Sequence, residues 1–256
     1  MPDHVLSEHS TPELEIRAAS VRGLMHRHVG TPRQDAFSVV RDPLSGTVVA
    51  VVCDGVGSLP RSHEAAAFVV DRLPPLYLAC RDWEKAVLTV NAELAAFARQ
   101  TSANVPPEQQ DEAGMATTVV ATAVTPTKTG VHVDFVRSDD STAWALSTAG
   151  TWSELAADLA AEGVVHTGSV RALPTEAPRL RLAQTALDGG ALFVMTDGVD
   201  NPLRGAVEVR AELAGWWSAP PPIFDFGSQV GFARKGHLDD RTVVGFWLRP
   251  GEGEQP

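Results

Sequence analysis

The chain has 256 residues, of which 44% are hydrophobic and 21% are charged, and its formal net charge at pH 7 is −11. This composition is typical of a globular protein with one large core, while the negative charge and the lack of a basic run argue against a nucleic-acid partner, whose phosphates would need neutralising. The sequence has no apolar stretch of about 18 residues for a membrane span and no signal-peptide pattern at its start, so we expect a cytoplasmic monomer without a membrane partner.

The first half of the chain is predicted to contain a tail, a group of strands and two helices. The polar residues 1–13 are assigned to a flexible N-terminal tail. The strands are expected up to Asp54, and the helices over residues 61–78 and 83–101. Pro74 and Pro75 should end or kink the first helix, because proline lacks the backbone N–H that a helix interior uses.

The second half is predicted to form further strands, then helices and a last strand. Residues 163–178 mix Gly, Pro and Thr, as is typical of an exposed flap. The predicted strands cover residues 115–124, 131–137 and 142–147, the helices cover 154–161, 207–217 and 224–233, and the last strand ends at Pro250. We assign residues 14–249 to one domain and 250–256 to a C-terminal tail, and periodicity alone indicates the α+β class.

Acidic residues follow two strongly apolar runs that are typical of buried strands. Residues 48–53 lead into Asp54 and residues 191–196 lead into Asp197, each acid being followed by a glycine that lets the backbone turn. A further pair, Asp239-Asp240, precedes the last strand. Carboxylates that converge at strand ends are costly unless a cation compensates them, and Mg²⁺ or Mn²⁺ prefers such oxygen ligands. The pattern therefore predicts a hard-metal site.

The two cysteines do not indicate a disulfide framework or a cysteine nucleophile. The chain has two cysteines, Cys53 and Cys80, which are too few for a disulfide framework. Cys53 lies within an apolar run, where a cysteine packs as a small hydrophobic residue. A cysteine phosphatase would need an arginine six residues after its nucleophile, where this chain has Leu59. That spacing excludes Cys53 as such a nucleophile.

Six short motifs follow one another along nearly the whole chain: RQDAF at 33–37, VCDGVGS at 52–58, GMATT at 114–118, DDS at 139–141, MTDGV at 195–199 and LDDRTVV at 238–244. In this order they resemble the metal-dependent protein phosphatases, the type 2C serine/threonine phosphatase family, and particularly its divergent bacterial branch. The resemblance implies a four-layer α-β-β-α sandwich, with two mainly antiparallel sheets flanked by helices and a metal site at one end.

The resemblance also implies a site with two Mn²⁺ or Mg²⁺ ions. Asp54 would bridge the two ions, the Gly55 carbonyl would join one, and Asp197 and Asp239 would complete the other. A water between the ions would be the nucleophile, activated as two-metal sites activate water. Asp54, Asp197 and Asp239 are therefore predicted catalytic residues.

Two further acids receive roles from the same resemblance. Asp35 matches the acid of the family's Glu-Asp pair and would be a catalytic residue that orients metal-bound waters. Asp140 matches the acid of a Gly-Asp-Ser motif and would contribute to a weak third metal site.

Several positions depart from the family pattern. Gln34 stands where a glutamate is usual, which would weaken the second metal, and Gly30 stands where an arginine would hold the substrate's phosphate. Arg33 and His28 are the nearest substitutes for phosphate binding. Val56 replaces a histidine found in many members, so water or another side chain would protonate the leaving group.

The leading hypothesis is a phosphatase that removes phosphate from serine or threonine of a protein, opposing a serine/threonine kinase or acting on that kinase's targets. A second hypothesis is a phosphatase-like regulator that binds a phosphorylated partner with weak or no turnover. A third is a metallohydrolase of a small phosphorylated metabolite, because the loops that set specificity are not readable from these motifs.

Overall fold

A computed structural model describes residues 1–103, 105–106, 113–138, 141–155 and 172–249. Within these ranges the helices are α1 Leu24–Val29, α2 Ser62–Cys80, α3 Trp83–Ser102, α4 Asp197–Gly205, α5 Val207–Trp216 and α6 Ile223–Val230. The strands are β1 His4–Ser10, β2 Leu14–Val21, β3 Ala36–Arg41, β4 Val48–Cys53, β5 Val119–Thr127, β6 Gly130–Ser138, β7 Thr142–Leu146, β8 Trp152–Glu154, β9 Leu180–Leu187, β10 Ala191–Met195 and β11 Arg241–Leu248.

The strands form two antiparallel sheets. The first has the order β1-β2-β11-β10-β7-β8 and the second the order β3-β4-β5-β6-β9. The apolar runs that precede Asp54 and Asp197 become β4 and β10, which lie inside different sheets. Each run lies between two strands of its sheet, and its residues are buried without interruption because the other sheet covers one face and helices cover the other.

Three apolar cores separate four layers. In β4, Val48, Ala50 and Val52 face the other sheet, while Val49 and Val51 face helices α2 and α3. This alternation follows from the two-residue period of a strand. The outer face of the first sheet packs on helices α4, α5 and α6, mainly through aromatic side chains that include Trp217 and Phe193. The α+β class and the predicted α-β-β-α sandwich are thus confirmed.

The expected N-terminal tail is wrong over residues 4–10. This segment forms β1, which pairs with β2 from His4 opposite Val21 to Ser10 opposite Glu15. Its side chains are mostly exposed because it is the edge strand of its sheet. An edge strand is held mainly by backbone hydrogen bonds and needs no alternation of hydrophobic residues. A polar edge strand therefore cannot be distinguished from a flexible tail by its sequence.

Helix α2 does not end at Pro74 and Pro75 but continues to Cys80. Pro74 cannot donate to the carbonyl of Val70, four residues earlier, and the hydroxyl of Ser38 on β3 donates to that carbonyl instead, at 2.5 Å. Packing against the neighbouring sheet therefore satisfies a hydrogen-bond acceptor that the proline leaves free.

Other boundaries differ from the sequence expectation. Glu154, the expected start of a helix, lies in the short strand β8, and the edge strand β9 was not predicted. Residues 156–161 of that predicted helix and residues 163–171 of the predicted flap fall outside the described residues. No helix among the described residues is long and apolar enough to cross a membrane.

Candidate metal centre

Asp54 lies immediately beyond the end of β4, at the rim of the second sheet. Its backbone carbonyl accepts hydrogen bonds from the Thr118 amide and the Thr117 hydroxyl, both at 2.8 Å. These contacts hold the backbone just where the strand stops. The Asp54 side chain is partly buried at this end of the sheet.

Asp197 begins helix α4 directly after β10 of the first sheet. One carboxylate oxygen, Oδ2, accepts a hydrogen bond from Asn201 Nδ2 at 3.2 Å, one helical turn further on. The next residue is Gly198, where an added Cβ would lie 1.9 Å from the Asp240 carbonyl oxygen. Only glycine allows the start of α4 to approach the loop before β11 so closely, and this approach brings Asp197 near Asp239.

Asp239 contributes the third carboxylate. Its side chain is exposed, and its Oδ1 accepts a hydrogen bond from the Asp240 amide at 2.9 Å. Asp239 lies in the loop before β11, Asp54 follows β4, and Asp197 begins α4. The three predicted ligands therefore come from three separate segments of chain at one end of the sandwich.

The acids of the site influence one another electrostatically. Burial raises the pKa of Asp54 well above its usual range, and the negative charges of Asp35, Asp197 and Asp239 raise it further. Burial also raises the pKa of Asp197, while a hydrogen bond with the Asp54 carboxyl group lowers it. A cluster of this kind is unfavourable when all its members are ionised and no cation is bound.

One orphaned atom tests whether these residues fit a metal. Asp197 Oδ1 is buried and has no hydrogen-bond donor. A buried carboxylate oxygen without a donor is costly in a protein, but it is what an oxygen-preferring divalent cation requires. Together with the facing carboxylate of Asp54, this oxygen fits Mg²⁺ or Mn²⁺.

Gly55 and Gln34 meet beside Asp54. A Cβ added to Gly55 would lie 2.9 Å from the Gln34 carbonyl oxygen, so glycine is required for this contact. Among the hydrogen bonds of the described ranges, none ends on the Gly55 carbonyl, which the resemblance assigns to a metal. The side-chain Oε1 of Gln34 is also buried without a donor, while its Nε2 donates to the Leu59 carbonyl at 3.4 Å. Gln34 thus retains an oxygen beside the Asp54-Gly55 turn.

Asp35 is enclosed behind these groups. Its Oδ2 accepts hydrogen bonds from the hydroxyls of Thr196 at 2.9 Å and Thr242 at 2.7 Å. Burial raises the pKa of Asp35 well above its usual range, the Asp240 charge raises it further, and the two threonine hydrogen bonds oppose this shift. The structure therefore brings Asp35 into the same charge cluster as Asp54, held by the strands that precede Asp197 and follow Asp239.

Asp240 is a residue whose role the sequence did not reveal. Its carboxylate accepts hydrogen bonds from the backbone amides of Gly23 at 2.6 Å, Gln34 at 2.5 Å and Asp35 at 3.4 Å. It also shares a hydrogen bond of 2.8 Å with Nδ1 of His26. Although His26, Asp239 and Asp240 lie close enough to hold an ion, the donors around Asp240 already satisfy it. We interpret Asp240 as the anchor of the chain segments that carry Gln34 and Asp35.

The predicted phosphate-binding residues are not placed as expected. Arg33 is only 3% exposed and donates to the backbone carbonyls of Pro2, Ser20 and Asp35, so its assignment to phosphate is wrong. His28 is exposed on α1, and among the described residues no hydrogen bond or ion pair involves its ring. Its neighbour His26 is the histidine that the fold joins to the site. Asp140, the predicted third-metal ligand, lies outside the described residues.

The raised pKa values predict an unusual pH dependence for the metal-free protein. Between the unfolded pKa of aspartic acid, about 4, and the higher folded values of Asp35, Asp54 and Asp197, the folded state binds more protons than the unfolded state. The free energy of unfolding should therefore fall as the pH rises through this range. Urea unfolding with chelator at pH 5 and pH 8 measures this, and Asp54→Asn should reduce the slope. Stability that increases with pH would contradict the clustering of these acids.

Solved structures with the same architecture include bacterial phosphatases. A bacterial serine phosphatase aligns with 95% of this chain and 100% of its own chain, at 18% identity and a TM-score of 0.67. The serine/threonine phosphatase Stp1 from Staphylococcus aureus aligns with 95% of this chain and 98% of its own, at 18% identity and a TM-score of 0.59. RsbX, solved in complex with magnesium, aligns with 96% of this chain and 100% of its own, at 13% identity and a TM-score of 0.58. At these identities the likeness shows the fold.

Sequence comparison assigns the family. A search of curated proteins finds no significant match. A family model described as Protein phosphatase 2C matches residues 22–222, which include Gln34-Asp35, Asp54-Gly55 and Asp197-Gly198. The match covers most of the chain and agrees with the fold. The chain therefore belongs to the protein phosphatase 2C family.

Proposed function

We propose that this protein is a metal-dependent phosphatase that hydrolyses phosphoserine or phosphothreonine in a protein substrate. The observation that carries the proposal is a buried Asp197 oxygen without a donor, on a residue whose negative charge, together with that of Asp239, acts on the Asp54 carboxyl group. A chain that only bound a partner would have little reason to maintain such an unfavourable cluster of acids.

The residues of the site have separable roles under this proposal. Asp54, Asp197 and Asp239 would hold the two cations, the Gly55 carbonyl would add a neutral ligand, and Asp35 would orient water from behind. When bound, Mg²⁺ or Mn²⁺ would acidify a water and neutralise the charge that develops on the phosphoryl group. The magnesium in the RsbX structure supports this choice of ion. Asp140 is the proposed ligand of a weak third ion.

A protein substrate is supported by the surface beside Asp239. Helix α1 lies against the loop before β11, where the Met25 amide donates to the Leu238 carbonyl at 3.0 Å. Met25 is 47% exposed, Leu24 47% and Val29 58%, although all are large apolar residues. An exposed apolar patch at the rim of a site is typical of a surface that contacts another macromolecule. A small metabolite would not need it.

We expect Met25→Asp to raise KM for a phosphopeptide about fivefold while leaving kcat/KM for an aryl phosphate unchanged. Removing an apolar contact that becomes buried on binding costs about 1 kcal/mol, and an aryl phosphate does not reach the patch. Leu88→Asp on α3 is the matched control, because Leu88 is 46% exposed but lies on the outer helix layer. Equal effects on the two substrates would argue against this docking surface.

The direct test of the function is hydrolysis of an aryl phosphate and of phosphoserine and phosphothreonine peptides by purified protein with Mn²⁺, with Mg²⁺ and with chelator. Turnover that needs a metal and extends to the peptides supports the proposal. Turnover confined to small phosphate esters would instead favour a metabolite hydrolase. Phosphopeptides from targets of a serine/threonine kinase are the natural substrates to try first.

A second candidate function is a regulator that binds a phosphorylated partner with little turnover. The observation that favours it is the position of Arg33, whose guanidinium is committed to backbone carbonyls while Gly30 offers no side chain. Phosphopeptide binding without metal-dependent hydrolysis would support this alternative and contradict the enzyme proposal.

A further inference from the structure

The helix that begins at Asp197 carries three further polar residues on the same side, none of which is a predicted metal ligand. Asp197, Asp200, Asn201 and Arg204 are spaced three or four residues apart in α4, so they lie along one side of the helix. Asn201 contacts Asp197, as described above, while Asp200 and Arg204 bond to other elements. The same face therefore joins a predicted metal ligand to the rest of the fold.

Asp200 is held from two directions. It is 2% exposed, its Oδ1 accepts a hydrogen bond from Trp144 Nε1 on β7 at 2.7 Å, and its Oδ2 accepts one from Arg204 Nε at 2.6 Å. The Arg204 guanidinium also lies over the Trp144 ring, 5.2 Å from its centroid. The first turn of α4 is thus attached to the neighbouring strand by a buried polar contact.

Arg204 extends the attachment to a second strand. Its NH1 and NH2 donate to the two carboxylate oxygens of Glu154 on β8, each at 2.5 Å. Glu154 Oε1 also accepts hydrogen bonds from the Thr142 hydroxyl at 3.2 Å and from Arg137 NH1 at 3.4 Å. This bidentate geometry requires a guanidinium, because an ammonium group cannot bridge Asp200 and Glu154 in the same way.

The apolar face of α4 does not explain this arrangement. Val199 and Leu203 are fully buried and attach the helix to the sheet. Apolar contacts are non-directional, whereas a buried network of charged hydrogen bonds specifies one orientation even where its net stabilisation is small. Rotation of α4 about its axis would move the Asp197 carboxylate at its first residue, so the orientation matters for the site.

We propose that Arg204 and Glu154 are positioning residues that set the rotation of α4 and thereby the direction of the Asp197 carboxylate. The effect on metal binding rests on the proposed function, but the effect on the helix does not. Groups that orient metal ligands typically change metal affinity by about 10- to 100-fold when they are removed.

The test combines hydrogen exchange and metal binding on the full chain. In chelator, the amides of Val199 and Asp200, which both bond the Thr196 carbonyl, should exchange about tenfold faster in Arg204→Lys and Glu154→Gln than in the unsubstituted protein. The Kd for Mn²⁺, measured by calorimetry, should rise at least about tenfold in both variants. Arg204→Lys keeps the charge, so its failure to bind Mn²⁺ normally would show that the bridge is required.

Glu93→Gln is the matched control. It breaks the bidentate pair with Arg72 between α2 and α3, at 2.9 and 3.0 Å, on the other side of the sandwich. This variant should change neither measurement. Unchanged exchange at Val199 and Asp200 in the two test variants would overturn the inference, as would faster exchange with an unchanged Mn²⁺ Kd. If the unsubstituted protein binds no Mn²⁺, the proposed function fails and the exchange measurement alone decides the positioning role.

Discussion

Asp54→Asn should lower metal-dependent phosphatase turnover by about 1,000-fold or more, equivalent to about 4 kcal/mol of transition-state stabilisation. Burial and the negative charges of Asp35, Asp197 and Asp239 make an ionised Asp54 unfavourable without a cation, so Asp54 is the proposed ligand whose loss should matter most. Asparagine keeps the size of the side chain but removes its charge. The measurements are kcat and KM for an aryl phosphate and the Kd for Mn²⁺.

The same substitution should stabilise the metal-free protein, because it removes one charge from a repulsive cluster. Loss of turnover with unchanged or increased stability in chelator therefore separates a functional effect from misfolding. Asp225→Asn on the outer helix α6 is the control, since Asp225 is exposed there. Turnover in the Asp54 variant at the unsubstituted rate would refute the metal assignment.

Asp239→Ala should mainly weaken Mn²⁺ binding, whereas Asp240→Ala should mainly lower the free energy of unfolding, although the two residues are adjacent. Asp240→Ala leaves the buried amides of Gly23 and Gln34 without acceptors, which should lower the free energy of unfolding by about 3 kcal/mol or more. Asp239→Ala removes an exposed side chain, so its effect on stability should stay within about 0.5 kcal/mol. The loss of Mn²⁺ binding should nevertheless be large in Asp239→Ala.

Chemical denaturation in chelator and calorimetric titration with Mn²⁺ measure both effects. Asp240→Asn is a milder companion variant, because one amide oxygen can still accept a backbone hydrogen bond. A stable Asp240→Ala protein that has lost only metal binding would show that Asp240 is a ligand and not the anchor of the chain segments around it.

The strands at the centre of each sheet could be predicted, because a strand that is buried on both faces is an uninterrupted run of apolar residues. Residues 48–53 and 191–195 are apolar throughout, and the structure places them as β4 and β10 with partners on either side. The edge strand β1 could not be predicted in this way. It is held by main-chain hydrogen bonds to β2, which any polar sequence can make.

The same division applies within the site. Asp54 and Asp197 stand out in the sequence because a charge directly after a buried strand needs a compensating partner. Proximity in sequence favours Arg33 for phosphate binding, but its side chain donates to carbonyls of the N-terminal segment and β2. His26 and His28 look alike in sequence, and only the Asp240 contact tells them apart.

By itself, the sequence determined the class of fold, the central strands and the acids at their ends, since hydrophobic periodicity and isolated charges are local properties of a chain. Only the tertiary structure decided which charged groups serve the site and which serve the scaffold. That distinction depends on partners distant in sequence, such as Gly23 for Asp240 and Glu154 for Arg204, whose proximity follows from the packing of the two sheets.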